Sequence, residues 1–161
     1  MAPTKLGLLM QITLLAASQK AKHYCAYQER CHSEVRDKLY SFKLHKNEVE
    51  QLLTRLIEED FLNEERFAIA YAGGHFRTKQ WGKEKIKYTL KQKQVSEYCI
   101  RKALTAITAS DYNKTFFNVA DKKLTTLKNE KNIFIKKRKI KDYLQQKGFE
   151  IKLINGYLKA I

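Results

Sequence analysis

Apolar positions along the chain fall into one ladder that is repeated three times. The first rungs are Val35, Ile86 and Ile140. Stepping forward together from these reaches Leu39, Leu90 and Leu144, then Leu44, Val95 and Phe149. Next come Val49, Ile100 and Ile154, then Leu53, Leu104 and Leu158, and finally Leu56, Ile107 and Ile161. A basic residue follows each first rung: Arg36, Lys87 and Lys141. Because 43% of the chain is hydrophobic, one match means little. Six rungs in register across three copies mark stacked supersecondary units.

Steps of four and three residues place side chains on one face of an α-helix, and the two steps of five between them break that phase. Each copy is therefore a helix, a tight turn and a second helix. Gly148, just before Phe149, suits a left-handed helix end, and Ser96, just after Val95, suits an N-cap. The last rung coincides with the last residue, so the phase that leaves all copies complete puts a longer helix at the front of each. Those leading helices are expected over Thr13 to Arg30, Asn63 to Arg77 and Asn113 to about Lys131, with Thr13, Asn63 and Asn113 as caps. The predicted fold class is all-α: three tandem three-helix repeats in an elongated, curved helical array, covering 13–60, 61–109 and 110–161. Residues 1–12 form a poorly ordered N-terminal segment. The single proline, Pro3, interrupts none of this.

Charge is the second signal. The net charge is +15. Residues 1–72 carry ten basic and ten acidic side chains, whereas residues 73–161 carry twenty-two and seven. Such asymmetry points to a polyanionic partner for the later part. Two clusters stand out as candidate DNA-binding residues: Arg77, Lys79, Lys83, Lys85 and Lys87 around Trp81, and the run Lys136, Lys137, Arg138, Lys139 and Lys141. Ile133, Ile135 and Ile140 interleave with the second and can face the core. With few carboxylates nearby, these runs read as a phosphate-tracking surface with strong salt dependence and little sequence preference. The alternative is a set of merely solvated helix faces. Trp81 can stack on a base, although an aromatic just before a helix more often packs against it.

Candidate chemistry is sparse. Three cysteines argue against a disulfide framework. His23, Cys25, Cys31 and His32 lie close in sequence but match no zinc spacing, so the cysteines read as small core residues, and no metal or cofactor is expected. Gly73-Gly74 sits in a helical pattern, which implies a bend or a close helix approach. The acidic group Glu58, Glu59, Asp60, Glu64 and Glu65 straddles a helix boundary and reads as capping and solubility rather than catalysis. Nucleophile elbow, P-loop and dinucleotide turn are all missing. The apolar stretch Leu6 to Ala17 has the look of a secretory signal, but helical periodicity runs through it into the first repeat, so a cytoplasmic protein is expected.

The residues also carry a family likeness. The segments YCAYQERCHSEVRDKL (Tyr24 to Leu39), LIEEDFLNEERFAIAY (Leu56 to Tyr71) and WGKEKIKYTLKQKQVSEYCIRKAL (Trp81 to Leu104) resemble the RecX family. Ser33, Glu34, Val35, Arg36, Lys38 and Leu39 match its first motif. Phe61, Leu62, Asn63, Glu64, Arg66, Phe67 and Ala68 match the second, with Asp60 where the family often has Gly. Gly82, Lys85, Ile86 and Leu90 match the third, and His45 stands where a Ser cap is usual. The likeness spans about residue 17 to the end. It implies tandem three-helix units and a non-enzymatic modulator of RecA, the recombinase that forms filaments on single-stranded DNA. Such a protein lodges in the filament groove, contacts RecA and single- or double-stranded DNA, and impedes filament extension, strand exchange and co-protease activity. A monomer with no membrane partner is expected. A helical DNA- or RNA-binding protein without a RecA partner, and a protein-interaction scaffold, are the competing readings.

Overall fold

The computed structural model describes residues 5–161, with side chains from residue 13 onward. Among the described residues there are nine helices and no strands: α1 (Lys5–Tyr27), α2 (His32–Tyr40), α3 (Lys46–Glu58), α4 (Glu64–Lys79), α5 (Lys83–Gln92), α6 (Glu97–Thr105), α7 (Ala109–Thr126), α8 (Ile133–Lys147) and α9 (Ile151–Lys159). They form three consecutive helix triplets, each opened by its longest helix. The leading helix expected from Thr13 already begins at Lys5, so Thr13 lies inside α1 and does not cap it. The poor order expected for residues 1–12 falls on a stretch whose side chains lie outside the described residues.

The ladder is the core. Its first four rungs are buried in all three copies, and only Leu104, Leu158 and Ile161 at the last two rungs are half-buried. Ser96 caps α6 by accepting from the Cys99 N–H, and Asn63 caps α4 by accepting from the Arg66 N–H at 2.9 Å. The third leading helix starts earlier than expected: Thr108, not Asn113, is its cap, its hydroxyl accepting from the Asp111 N–H. Asn113 therefore sits one turn inside α7. A Thr followed three residues later by Asp was the available signal.

The turn in each copy has a single geometry. Lys43, Gln94 and Gly148 occupy the same ladder position, one residue before the third rung, and all have positive φ (61°, 63° and 93°). In the third copy the Phe149 N–H closes onto the Leu144 carbonyl at 3.1 Å, the bond of a Schellman helix end. Asp60, where the family often has Gly, also has φ 62°, with the Phe61 N–H on the Leu56 carbonyl at 2.9 Å. Glycine adopts this conformation without a Cβ penalty, and aspartate is among the few residues that tolerate it. His45 caps α3 through its backbone, donating its N–H to Glu48 at 3.4 Å.

The helices gather into two compact units, Met1–Phe67 with Lys93–Val95, and Ala68–Gln92 with Ser96–Ile161. Unit one packs Ala17, Ala21 and Cys25 of α1 against the ladder residues of α2 and α3. Cys25 and Cys31 are buried, as small core residues should be. Burial pushes the Glu34 carboxyl up, but the Lys93 ammonium at 2.9 Å and the Cys31 N–H at 3.1 Å overcome that and hold it below the usual carboxylate range. Unit two is knitted by aromatic rings: Phe76 lies 6.0 Å from Tyr112, Tyr112 5.7 Å from Phe149, and Phe149 5.1 Å from Phe116.

Two glycines make unit two possible. The Gly82 N–H donates to the Lys147 carbonyl at 2.7 Å, and the Glu84 N–H donates to the Gly148 carbonyl at 2.9 Å. A Cβ on Gly82 would stand 2.3 Å from the Gly148 backbone, and one on Gly148 would stand 2.2 Å from Lys85 Cβ. Neither backbone can yield cheaply. By contrast, a Cβ on Gly74 meets nothing within 4 Å, and one on Gly73 meets only the Arg77 side chain. The close helix approach expected at Gly73-Gly74 is not there, and α4 runs continuously through both. Gly82→Ala should therefore destabilise by about 1–3 kcal/mol through overpacking. Gly74→Ala should stabilise by about 0.5–1 kcal/mol, because it only raises helix propensity. Urea melts of the two variants with opposite signs are the expected result, and a shift in the same direction for both would refute this account.

Candidate nucleic-acid interface

Charge divides along the line between the compact units. Unit one holds eleven basic and ten acidic residues, and unit two holds twenty-one and seven. All ten candidate DNA-binding residues belong to unit two. Arg77, Lys79, Arg138 and Lys139 are exposed, while Lys83, Lys85, Lys87, Lys136, Lys137 and Lys141 are half-buried by their stems.

The first cluster is built on an aromatic stack. The Tyr71 ring lies 4.0 Å from His75, and His75 lies 4.5 Å from Trp81. Trp81 thus packs back onto α4 rather than stapling α5 alone. The ammonium groups of Lys79 and Lys85 stand over the indole at 5.1 and 4.7 Å. Lys83 stands over the Tyr112 ring at 4.8 Å, and Lys85 also reaches the Gln146 carbonyl at 3.4 Å. Part of this cluster is therefore engaged in holding α5 to its neighbours, which the sequence did not reveal.

Lys147 joins the first cluster without having been a candidate. Its ammonium donates to the Lys79 carbonyl at 3.0 Å, so the C-terminal end of α8 meets that cluster. The available signal was its ladder slot, two residues before the third rung, where Lys93 pairs with Glu34 in unit one. The second cluster occupies the other end of α8, about 16 Å away at 1.5 Å per residue from Lys136 to Lys147. One helix thereby links the two clusters.

At its N-terminal end α8 departs from expectation. Asn132 caps it, accepting from the Phe134 and Ile135 N–H groups at 3.0 and 3.2 Å. Ile140 is fully buried, but Ile133 and Ile135 are 43% and 44% exposed and do not face the core. The reason is length. α2 and α5 begin three residues before their first rung, whereas α8 begins seven before Ile140, so its first turn extends past the core that the ladder defines. The first turn has no acidic residue, unlike those of α2 and α5. Carboxylates near the runs are few: among the described residues, Lys139 alone of the ten candidates forms an ion pair, with Glu130 at 3.6 Å.

An open apolar recess of about 690 Å³ lies between α7 and α9, lined by Tyr112, Phe117, Leu153, Gly156 and Tyr157. Its hydroxyls are already committed. Tyr112 donates to Glu150 at 2.5 Å and accepts from the Lys83 N–H at 3.0 Å, and Tyr157 donates to Asp121 at 2.7 Å. Burial, then the carboxylate partner, raises both phenols far above their ordinary range, so neither ionises near neutrality. No cluster of metal-ligating side chains occurs among the described residues, and no helix among them is long and apolar enough to cross a membrane.

These features define an all-α protein of tandem three-helix repeats whose positive charge is gathered in its second compact unit. Known proteins place it further. Residues 63–104 match the second three-helix domain of RecX, and residues 111–158 match the third, together more than half of the chain. The regulatory protein RecX of Clostridium perfringens is 36% identical over 124 residues, 77% of this chain and 54% of that protein. That of Bacillus licheniformis is 29% identical over 143 residues, 88% of this chain and 53% of that one. The crystal structure of RecX from Lactobacillus salivarius superposes with a TM-score of 0.82 at 27% identity, covering 94% of this chain and 99% of that one. The chain belongs to the RecX family. It spans about half the length of the curated relatives it matches.

Proposed function

We propose that this chain is a monomeric, non-enzymatic, cytoplasmic regulator of RecA that acts within the RecA–DNA filament, impeding filament extension, strand exchange and co-protease activity. Unit two meets single- or double-stranded DNA and the near-neutral unit one meets protein. The observation that carries this reading is the confinement of surplus charge to unit two, where its basic side chains mostly lack carboxylate partners. Each phosphate neutralised releases condensed counterions, so binding is driven by salt-sensitive entropy and is indifferent to sequence. The start of α8 strengthens the argument. Lys136, Lys137, Arg138 and Lys139 follow directly on a first turn that carries no acidic residue, so no carboxylate of that turn offsets them. Coupling two weak contacts through one folded chain raises overall affinity by effective concentration alone.

The deciding experiment follows RecA's DNA-dependent ATPase as this chain is added, at concentrations where free DNA is far from saturated by it. Suppression of the ATPase under those conditions is the expected result. Suppression only once free DNA is coated would favour a general DNA- or RNA-binding protein without a RecA partner. Failure to bind DNA at any salt concentration would leave a protein-interaction scaffold with a solvated basic half.

A further inference from the structure

The extra first turn of α8 has no counterpart in the other repeats and buries nothing of its own in the ladder. It presents Phe134, 82% exposed, between the half-exposed Ile133 and Ile135. Exposing a phenyl ring in water is unfavourable, and neither α2 nor α5 has a corresponding turn before its core. The Asn132 cap instead holds this turn in place through the N–H of Phe134 itself. On a helix, residues three, four and seven apart share a face, so Phe134 stands on the same side as Lys137, Arg138 and Lys141. An exposed aromatic ring one helical turn from unpaired guanidinium and ammonium groups combines the two contacts that unpaired nucleotides offer, a base face and a phosphate. Duplex DNA offers the phosphates but keeps its base faces stacked.

We propose that Phe134 is a base-stacking platform for single-stranded nucleic acid, positioned by the additional turn of α8 beside the phosphate-contacting run Lys136–Lys139. The inference rests on the nucleic-acid reading of unit two and adds to it a preference for unpaired strands. Lys137 and Arg138 hold the backbone while the ring takes one base, so the site discriminates strandedness and not sequence. The flanking isoleucines widen the apolar surface against which the stacked base loses water.

The test compares a labelled oligothymidine with a duplex of the same length by fluorescence anisotropy, using the full chain. Phe134→Ala should weaken oligothymidine binding about 5- to 150-fold, the range of one missing base–aromatic stack, and leave duplex binding where it was. Phe134→Leu, apolar but without a π face, should behave like the alanine variant, whereas Phe134→Trp should restore binding. Because the side chain is exposed, unchanged circular dichroism melts are expected for all three. Equal losses for single strand and duplex, a leucine variant that binds like the parent, or no loss in the alanine variant would each overturn the stacking assignment. Parent protein that binds neither oligonucleotide would instead remove the nucleic-acid reading on which it rests.

Discussion

Phe116→Ala should destabilise the protein by about 3–5 kcal/mol, because removing a buried phenyl ring leaves a cavity that its neighbours cannot fill. Phe116 is fully buried and sits at the junction of three aromatic contacts, 5.1 Å from Phe149, 6.0 Å from Tyr157 and 5.4 Å from Phe117. It is not a ladder residue, yet it joins the ladder residue Phe149, at the turn, to Tyr157 on α9. Leu144→Ala, on the ladder itself, should cost about 2–4 kcal/mol for the same reason. Chemical denaturation checks both. A Phe116→Ala protein with parental stability would mean that unit two is not held by its aromatic rings.

Replacing Lys136, Lys137, Arg138 and Lys139 together with Gln should reduce the slope of log affinity for DNA against log salt by about 3, at roughly 0.7–0.9 for each phosphate no longer neutralised. The change leaves Ile140 and Leu144, which anchor α8, in place, and it removes repulsion among four neighbouring like charges on the helix. The variant should therefore be at least as stable as its parent while binding more weakly. Titrations across a salt series read the slope directly. A parental slope in the folded variant would show that the run is only solvated and would move the DNA contact to the cluster around Trp81. A slope lowered by about 1 would assign one phosphate to the whole run, with Lys139 held by Glu130 and others idle.

The sequence by itself determined the helical class, the threefold repeat, the buried rungs and the family. These properties are local or periodic: burial follows from side-chain spacing on a helix, and a ladder repeated in register allows little else. It also determined that positive charge belongs to the later part of the chain, since charge is a sum over residues. Cap choice was partly legible. Ser96, Asn63 and Gly148 were readable from local chemistry, while Thr108 lost out to Asn113 because several residue types cap helices equally well.

Only the tertiary structure decided the rest. Gly82 and Gly148, 66 positions apart, are both required because two backbones meet there. Gly148 was legible as a helix end, but nothing local to Gly82 distinguishes it from Gly74, which faces open space. Periodicity assigned Ile133 and Ile135 to the core because it cannot say how far the core extends along a helix axis. The start of α8 lies one turn past that limit, and so the residues there became surface. Which lysines are available is likewise a matter of neighbours: Lys83 and Lys85 lean on aromatic rings, Lys139 on a carboxylate, and Arg138 is exposed to solvent. A charge can be counted from the sequence, but its partner is chosen by packing between residues far apart in the chain.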